Sequence, residues 1–316
     1  MGVEVSEKAM SISAVTRSLP AFDYLPSLEG FLGLEPEQAG DPAKAGAVII
    51  PFGLEASVSY VGGTGAGPAA MLQASQQVEL FDDELWCEAF ANYGVATLRE
   101  PAIAAGLPQA VEQLETLVES VLESDRFPMT FGGEHSIIAG AIRPFARRYD
   151  DLVILHFDAH ADLRDGYEGE HYSHAAALRR CLDFEHIELV SLGIRNISAE
   201  EIPFLQANEE RIHIHWAREK AQWNLAKILA PLKGRPVYLT FDLDGFDASV
   251  MPATGTPEPG GLFWDDVMPI IRGAAQCSTI VGADINELAP RPELHACDFL
   301  AAKLAYKILN YALAGK

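Results

Sequence analysis

Short apolar runs with little polar alternation recur along the 316-residue chain: Ala47 to Pro51, Tyr93 to Leu98, Met129 to Phe131, Leu152 to Phe157, Ile187 to Leu192, Arg211 to His215, Val237 to Phe241 and Ser278 to Ile285. Runs of this kind read as strands covered on both faces. Helix-like stretches lie between them, at Leu107 to Leu122, His135 to Arg148, Ala217 to Leu232, Trp264 to Ala275 and Phe299 to Leu313. Strands separated by helices of this length predict right-handed crossovers and a mostly parallel sheet in a three-layer α/β/α sandwich. Residues 1–44 carry scattered Pro and Gly and read as an N-terminal extension. With no Pro/Gly/Ser-rich linker beyond them, residues 45–316 read as one domain.

The polar motifs fall at one end of this pattern. Phe131-Gly-Gly-Glu-His135, Asp158-Ala-His-Ala-Asp162, Asp242-Leu-Asp244 and Asp284-Ile-Asn-Glu287 each follow or finish a predicted strand. Open α/β sheets bind ligands outside the C-terminal ends of their strands, so segments distant in sequence are expected to meet there.

Charge narrows the partners. With 23 Lys+Arg against 45 Asp+Glu the net charge is −22, which disfavours nucleic acid and anionic lipid and favours cations. Much of that charge is solvated surface, as along Glu112 to Glu123. Neither a secretory leader nor a membrane span is evident, so a soluble cytoplasmic protein is expected. The four cysteines, Cys87, Cys181, Cys277 and Cys297, are scattered without a CxxC pair and read as structural thiols.

In extended backbone Asp158, His160 and Asp162 share one face, as do Asp242 and Asp244. An apolar strand ending this acidic is costly unless a cation compensates. Gly132 and Gly133 permit a tight bend before His135. Any one of His135, Asp158, His160, Asp162, Asp242 and Asp244, taken alone, is better explained as a cap or a satisfied polar group; the set is not. Four carboxylates and two imidazoles form a hard, oxygen-rich donor set that suits manganese or a similar divalent ion better than a structural zinc, and that balances two such ions in charge. Such a pair can activate one water at neutral pH.

These residues, with the Ser59-Tyr60 segment, GTGAGPAAMLQAS, GGEHS, FDAHADL, the YSHA around His174, GIR at Gly193 to Arg195, FDLDGFDAS, ATGTPEPGGL and DINELAP, closely resemble the ureohydrolase family of arginases, agmatinases and related amidinohydrolases. The resemblance implies an arginase-like fold, two Mn2+ per subunit and hydrolysis of a guanidino group to urea and an amine. It makes Asp158 and Asp242 the bridging carboxylates, with His135 and Asp162 completing one metal's ligands and His160 and Asp244 the other's. Asp162 would pass a proton from the nucleophile to the departing amine, His174 would shuttle protons at the pocket mouth, and Glu287 would hold the guanidinium. His156 shares strand parity with Asp158 but matches no family ligand, and reads as a satisfied core histidine. Family resemblance also suggests a homo-oligomer, trimer or hexamer.

The loop LRDGYEGEHYSH lacks the Asn/Ser pattern expected for binding an α-carboxylate and offers Asp165, Glu168 and Glu170 to a cationic tail. That favours agmatine, cleaved to putrescine and urea. Arg164 is the complication, as it could favour a guanidino acid; pairing with Asp165 or Glu168 is the expected alternative. Glu134 stands where many family members carry Asp. Guanidinobutyrate, guanidine or arginine hydrolysis, or a non-catalytic metal-binding subunit, are the competing readings.

Overall fold

All neighbouring strands of the central sheet run parallel. The computed structural model describes residues 22–314, and in it eight strands form this sheet: β1 (Ala47–Phe52), β2 (Val95–Thr97), β3 (Phe127–Gly132), β4 (Val153–Phe157), β5 (Glu188–Leu192), β6 (Ile212–His215), β7 (Pro236–Asp242) and β8 (Thr279–Asn286). Their order is β2-β1-β3-β8-β7-β4-β5-β6. The chain builds one wing, crosses to build the other, and returns last to insert β7 and β8 between β4 and β3. That late insertion sets the C-terminal ends of β3, β8, β7 and β4 side by side, although the residues they carry, from His135 to Glu287, span nearly half the sequence.

Strand parity sorts the core into two layers. Ala47 and Ile49 of β1 face one cluster, packed with Met71, Val267, Ile271, Ala301 and Leu304. Val48, Ile50 and Phe52 face the other, with Ala110, Leu114, Val118, Ile138 and Phe145. The first layer comprises helices α1 (Gly67–Ser75), α3 (Trp264–Cys277) and α4 (His295–Leu313); the second is led by α2 (Leu107–Glu123). Helix α2 shows why the pattern folds this way. Leu107, Ala110, Val111, Leu114, Val118, Val121 and Leu122 recur at helical spacing and are all buried. Pro108 opens the helix and Asp125, at φ 55°, ends it. Each buried Leu or Val contributes about 1.5–3 kcal/mol.

Two predicted helices are broken. Over 135–148 a 3-10 turn, His135–Ile137, is followed by the short helices Ile138–Ala141 and Arg143–Arg148; Pro144 brings no N–H to continue the ladder. Over 217–232 the chain makes a 3-10 segment, Ala217–Gln222, then restarts at Leu225 under an Asn224 cap. Helix α1, over Gly67–Ser75, is not among the predicted helices. A Cβ at Gly67 would sit 2.6 Å from the Leu288 carbonyl, so close packing against the segment after β8 requires that glycine.

Of the predicted extension, residues 1–21 lie outside the described residues. Residues 22–44 run beside β2: Leu25 N donates to Thr97 O at 2.9 Å, and Phe31, Leu32 and Leu34 are buried. Among the described residues no helix is long and apolar enough to cross a membrane.

Candidate metal centre

His135 follows β3, Asp158 to Asp162 follow β4, Asp242 closes β7 with Asp244 in the next turn, and Glu287 follows β8. All six residues proposed from sequence, with Glu287 and His174, line one cavity of about 340 Å3, except Asp158, which lies beneath it. The cluster forms around the Nδ1 atom of His135, which is 3.2 Å from Asp158 Oδ2, 3.3 Å from Asp162 Oδ2 and 3.5 Å from Asp242 Oδ2. Beside it, His160 Nδ1 is 3.0 Å from Asp244 Oδ2 and 3.6 Å from Asp158 Oδ1.

The pleat does not produce this convergence. Strand β4 ends at Phe157, so Asp158, His160 and Asp162 lie on a loop, and Asp162 adopts φ 52°. Strand β7 ends at Asp242, and Leu243–Gly245 is a 3-10 turn. Backbone N–H groups orient the carboxylates instead. Asp158 Oδ1 accepts from His160 N (2.6 Å), Asp242 Oδ1 from Asp244 N (2.9 Å) and Asp244 Oδ1 from Ala159 N (3.0 Å). In each, Oδ1 is held by the chain and Oδ2 faces an imidazole. Asp162 and Glu287 (φ 67°) both occupy the left-handed region, at about 1 kcal/mol or more each, within a frame that over-determines them.

The imidazole of His135 is equally fixed. Its Nε2 lies 2.8 Å from Thr240 Oγ1, which donates to Asp284 Oδ1 at 2.6 Å; Tyr238 OH (2.7 Å) and Asn286 Nδ2 (2.5 Å) also donate to Asp284. Thr240 therefore accepts from Nε2–H, which leaves the Nδ1 lone pair buried among carboxylate oxygens without a donor. A lone pair facing three carboxylate oxygens fits a cation, and the supporting chain to Asp284 is how metal-binding histidines are held. Among the described residues, two groups of side chains offer donor atoms close enough to hold an ion, one with His135 and Asp158, the other Asp158, His160 and Asp244. The first also contains His156, but its Nδ1 meets Ser191 Oγ at 2.9 Å and its Nε2 meets Asp158 Oδ2 at 2.9 Å. With both nitrogens engaged, His156 orients Asp158 rather than offering a ligand atom.

The electrostatics are those of a cation site. Asp158, Asp162, Asp242, Asp244 and Glu287 are at most 9% exposed. Burial, reinforced by Asp158, pushes Asp162 up to about 7, and burial with Glu134 and Asp244 nearby pushes Glu287 up to about 8. Burial works to lower His160, but Asp244 and Asp158 outweigh it and push the ring up to about 12. Cation binding at Asp162 and His160 must displace their protons, so affinity is expected to rise with pH, by about tenfold per unit for each proton released. Calorimetric titration of metal into the protein in buffers of different ionisation enthalpy checks this; proton-neutral binding would contradict it.

The predicted tail contacts fare differently. Asp165 does not line the cavity: it is 75% exposed and paired with Arg180 at 2.7 Å. Glu168 and Glu170 line a neighbouring depression that shares only Val58 and Tyr167 with the cavity. Arg164 lines the cavity and pairs with Glu200 (3.0 Å), not with Asp165 or Glu168. Gly132 and Gly133 serve close approach rather than an unusual bend. A Cβ on Gly133 would stand 2.0 Å from Leu54 O, and one on Gly132 2.0 Å from Asn286 Oδ1.

Sequence reasoning missed several contributors. Glu201 accepts from Leu163 N (2.8 Å) and Ser198 N (2.5 Å), anchoring the loop after Asp162. Arg195 donates to the carbonyls of Asp244 (2.6 Å) and Glu258 (2.9 Å), tying the ligand turn to the cavity rim. Glu258 lines the rim, and its carboxylate has no hydrogen bond or ion pair among the described residues. Only the GIR motif at Arg195 was visible beforehand, and it did not disclose these partners.

Comparison with known proteins agrees with this geometry. The arginase family model matches residues 45–310. The chain is 36% identical to the N(1)-aminopropylagmatine ureohydrolase of Synechocystis over 289 residues, covering 88% of this chain and 92% of that protein. It is 33% identical to the agmatinase of Bacillus subtilis, covering 93% and 98%. The structure of the agmatine ureohydrolase of Thermoplasma volcanium superposes with a TM-score of 0.80 at 27% identity, covering 91% of this chain and 95% of that one. A model match across the whole sheet, on a chain that gathers the same motifs at one set of strand ends, means that this protein belongs to the arginase family.

Proposed function

We propose that this protein hydrolyses agmatine to urea and putrescine with two manganese ions. The observation that carries the reading is the enclosure of His135 Nδ1 by three carboxylate Oδ2 atoms in the cavity that also holds Glu287. In this reading His135, Asp158, Asp162 and Asp242 hold one ion, and His160, Asp158, Asp242 and Asp244 the other. Bound there, the pair would supply Lewis acidity and activate water against the resonance-stabilised guanidinium carbon.

The protein's own groups do the rest. Glu287 accepts from His135 N through Oε1 at 2.7 Å, which leaves Oε2 for the planar donor fork of the substrate. A guanidinium beside it would restore the charged carboxylate that burial disfavours. Asp162 takes the proton of the attacking water and returns it to the leaving nitrogen, and His174 exchanges protons at the mouth. Glu258 is the acid available to the distal ammonium of agmatine.

N(1)-aminopropylagmatine is the second reading. The Synechocystis relative is named for that substrate, and the depression carrying Glu168 and Glu170 adjoins the cavity through Val58 and Tyr167, where a longer cationic tail would reach.

Urea release from agmatine, N(1)-aminopropylagmatine, arginine and guanidinobutyrate by the manganese-loaded protein separates these readings. Agmatine is expected to be preferred, with Glu258→Gln raising its KM about tenfold, since a charge-assisted hydrogen bond is worth about 1.5 kcal/mol. Preference for either acid would transfer specificity to Arg164. No urea from any of the four would overturn the assignment.

A further inference from the structure

Glu134 is wholly buried one residue before a proposed ligand. Its carboxylate accepts four hydrogen bonds. Oε2 takes Ala56 N and Ser57 N, both at 2.6 Å, and Oε1 takes Ser57 Oγ at 2.8 Å and Ser136 Oγ at 2.6 Å. The absence of a Cβ on Gly133 lets the segment beginning at Leu54 lie close enough for this, and Glu134 N donates to Leu54 O at 2.8 Å.

Ser57 carries the consequence across to His174. Its hydroxyl has one proton, which goes to Glu134, and two lone pairs. One lone pair accepts from His174 N at 3.0 Å; the other faces His174 Nδ1 at 3.1 Å. A hydroxyl that has already given its proton to a carboxylate can only accept there, so Nδ1 must carry the hydrogen. Ser173 Oγ, at 3.4 Å from Nδ1, is a more distant second acceptor for it. Nε2 then keeps its lone pair, 2.8 Å from Ser59 Oγ, an exposed hydroxyl on the cavity wall that is free to donate. Burial lowers the pKa of the His174 ring despite the attraction of Glu134, in keeping with a neutral imidazole.

We propose that Glu134, acting through Ser57, is a positioning residue that fixes His174 as the Nδ1–H tautomer and keeps Nε2 a proton acceptor facing the substrate cavity. The catalytic consequence rests on the role given to His174 above; the tautomer itself does not. The ring nitrogen that a histidine presents is set by the partner of the other nitrogen, and here that partner is a serine polarised by a saturated carboxylate.

Two measurements test the proposal. In the full-length protein labelled with 15N-histidine and loaded with diamagnetic magnesium, the His174 signals, assigned with His174→Asn, are expected to show a protonated Nδ1 and a bare Nε2. Ser57→Ala removes the relay but leaves the Ala56 N, Ser57 N and Ser136 contacts to Glu134, so the loop stays clamped. It is expected to shift the His174 signals towards a mixture of tautomers. It should also lower kcat by about ten- to a hundredfold with KM changed less than about threefold, a fraction of the usual effect of general acid–base groups. Ser57→Thr, which keeps the hydroxyl, should restore both readouts. A predominantly Nε2–H ring in the unsubstituted protein, or unchanged kcat in Ser57→Ala, overturns the proposal. Because the first measurement needs no turnover, it decides the tautomer even if no guanidino compound is hydrolysed.

Discussion

Replacing Asp158 by asparagine is expected to lower kcat/KM by at least about a thousandfold, equivalent to about 4 kcal/mol of transition-state stabilisation. The carboxylate stands between the two imidazole groups. Oδ1 accepts from His160 N and lies 3.6 Å from His160 Nδ1, while Oδ2 accepts from His156 and lies 3.2 Å from His135 Nδ1. An amide of the same volume keeps one acceptor but turns a donor towards either the backbone N–H or the His156 N–H. It also removes one of the two negative charges, with that of Asp242, that the proposed sites share. Metal content should therefore fall from two ions per chain to one or none, by elemental analysis after gel filtration, with the far-ultraviolet circular dichroism unchanged. Two ions and normal turnover in Asp158→Asn would refute the shared-ligand role.

The second large effect concerns stability and lies far from the cavity. Asp82→Ala is expected to cost about 3–5 kcal/mol, the usual consequence of stripping one partner from a buried pair, against a total that is about 5–15 kcal/mol for a folded protein. Lys307, in the middle of α4 and only 4% exposed at its side chain, lies 3.0 Å from both Asp82 oxygens. Asn310 Nδ2 donates to Asp82 Oδ2 at 2.9 Å, and Glu84 N and Leu85 N donate to Oδ1. This latch ties the FDDELW turn to the terminal helix. Glu84 Oε1, also 3.0 Å from Lys307, remains after the substitution and favours the lower end of the range.

The pH dependence of that latch has a definite sign. Burial acts to raise Asp82, but Asn310, the Leu85 N–H and Lys307 outweigh it and hold the carboxyl below its ordinary value of 3.8. A depressed folded-state pKa adds stability that is present above the unfolded value and lost as pH falls through the folded one. The gap between the wild type and Asp82→Ala in urea titrations should thus be full at neutral pH and shrink in strong acid. A gap below about 1 kcal/mol at pH 7 would show that the latch is not needed.

The site was legible in part because each motif carrying proposed ligands is local. The sequence places Asp158-Ala-His-Ala-Asp162 after an apolar run, and that run is a strand. The mechanism inferred for the convergence was nevertheless wrong. Alternation along a strand cannot apply to residues beyond its end, and the observed orientation comes from backbone N–H groups gripping Oδ1 of Asp158, Asp242 and Asp244. The placement of Asp165, Glu168 and Glu170 was hidden for a related reason: their charge was visible, but Arg180, the partner of Asp165, lies on a later helical turn, and only the folded loop sets Glu168 and Glu170 in the neighbouring depression. Glu134 was passed over because a carboxylate next to a ligand gives no sign in sequence of the loop it will clamp.

Strand positions, the covered character of the sheet and the acidic, imidazole-rich strand ends were determined by the sequence itself. These depend on residue type and local periodicity, where apolar runs cannot stay solvated and clustered carboxylates demand a counter-charge. Tertiary structure alone decided the strand order, with β7 and β8 inserted last between β3 and β4, and hence which of the proposed ligands become neighbours. It alone decided that Thr240 and Asp284 support His135, that Ser57 meets His174, and that Glu258 rather than Asp165 reaches the cavity rim. Such pairings join residues tens to hundreds of positions apart, and their energies depend on distance and burial that exist only once the sheet has closed around them.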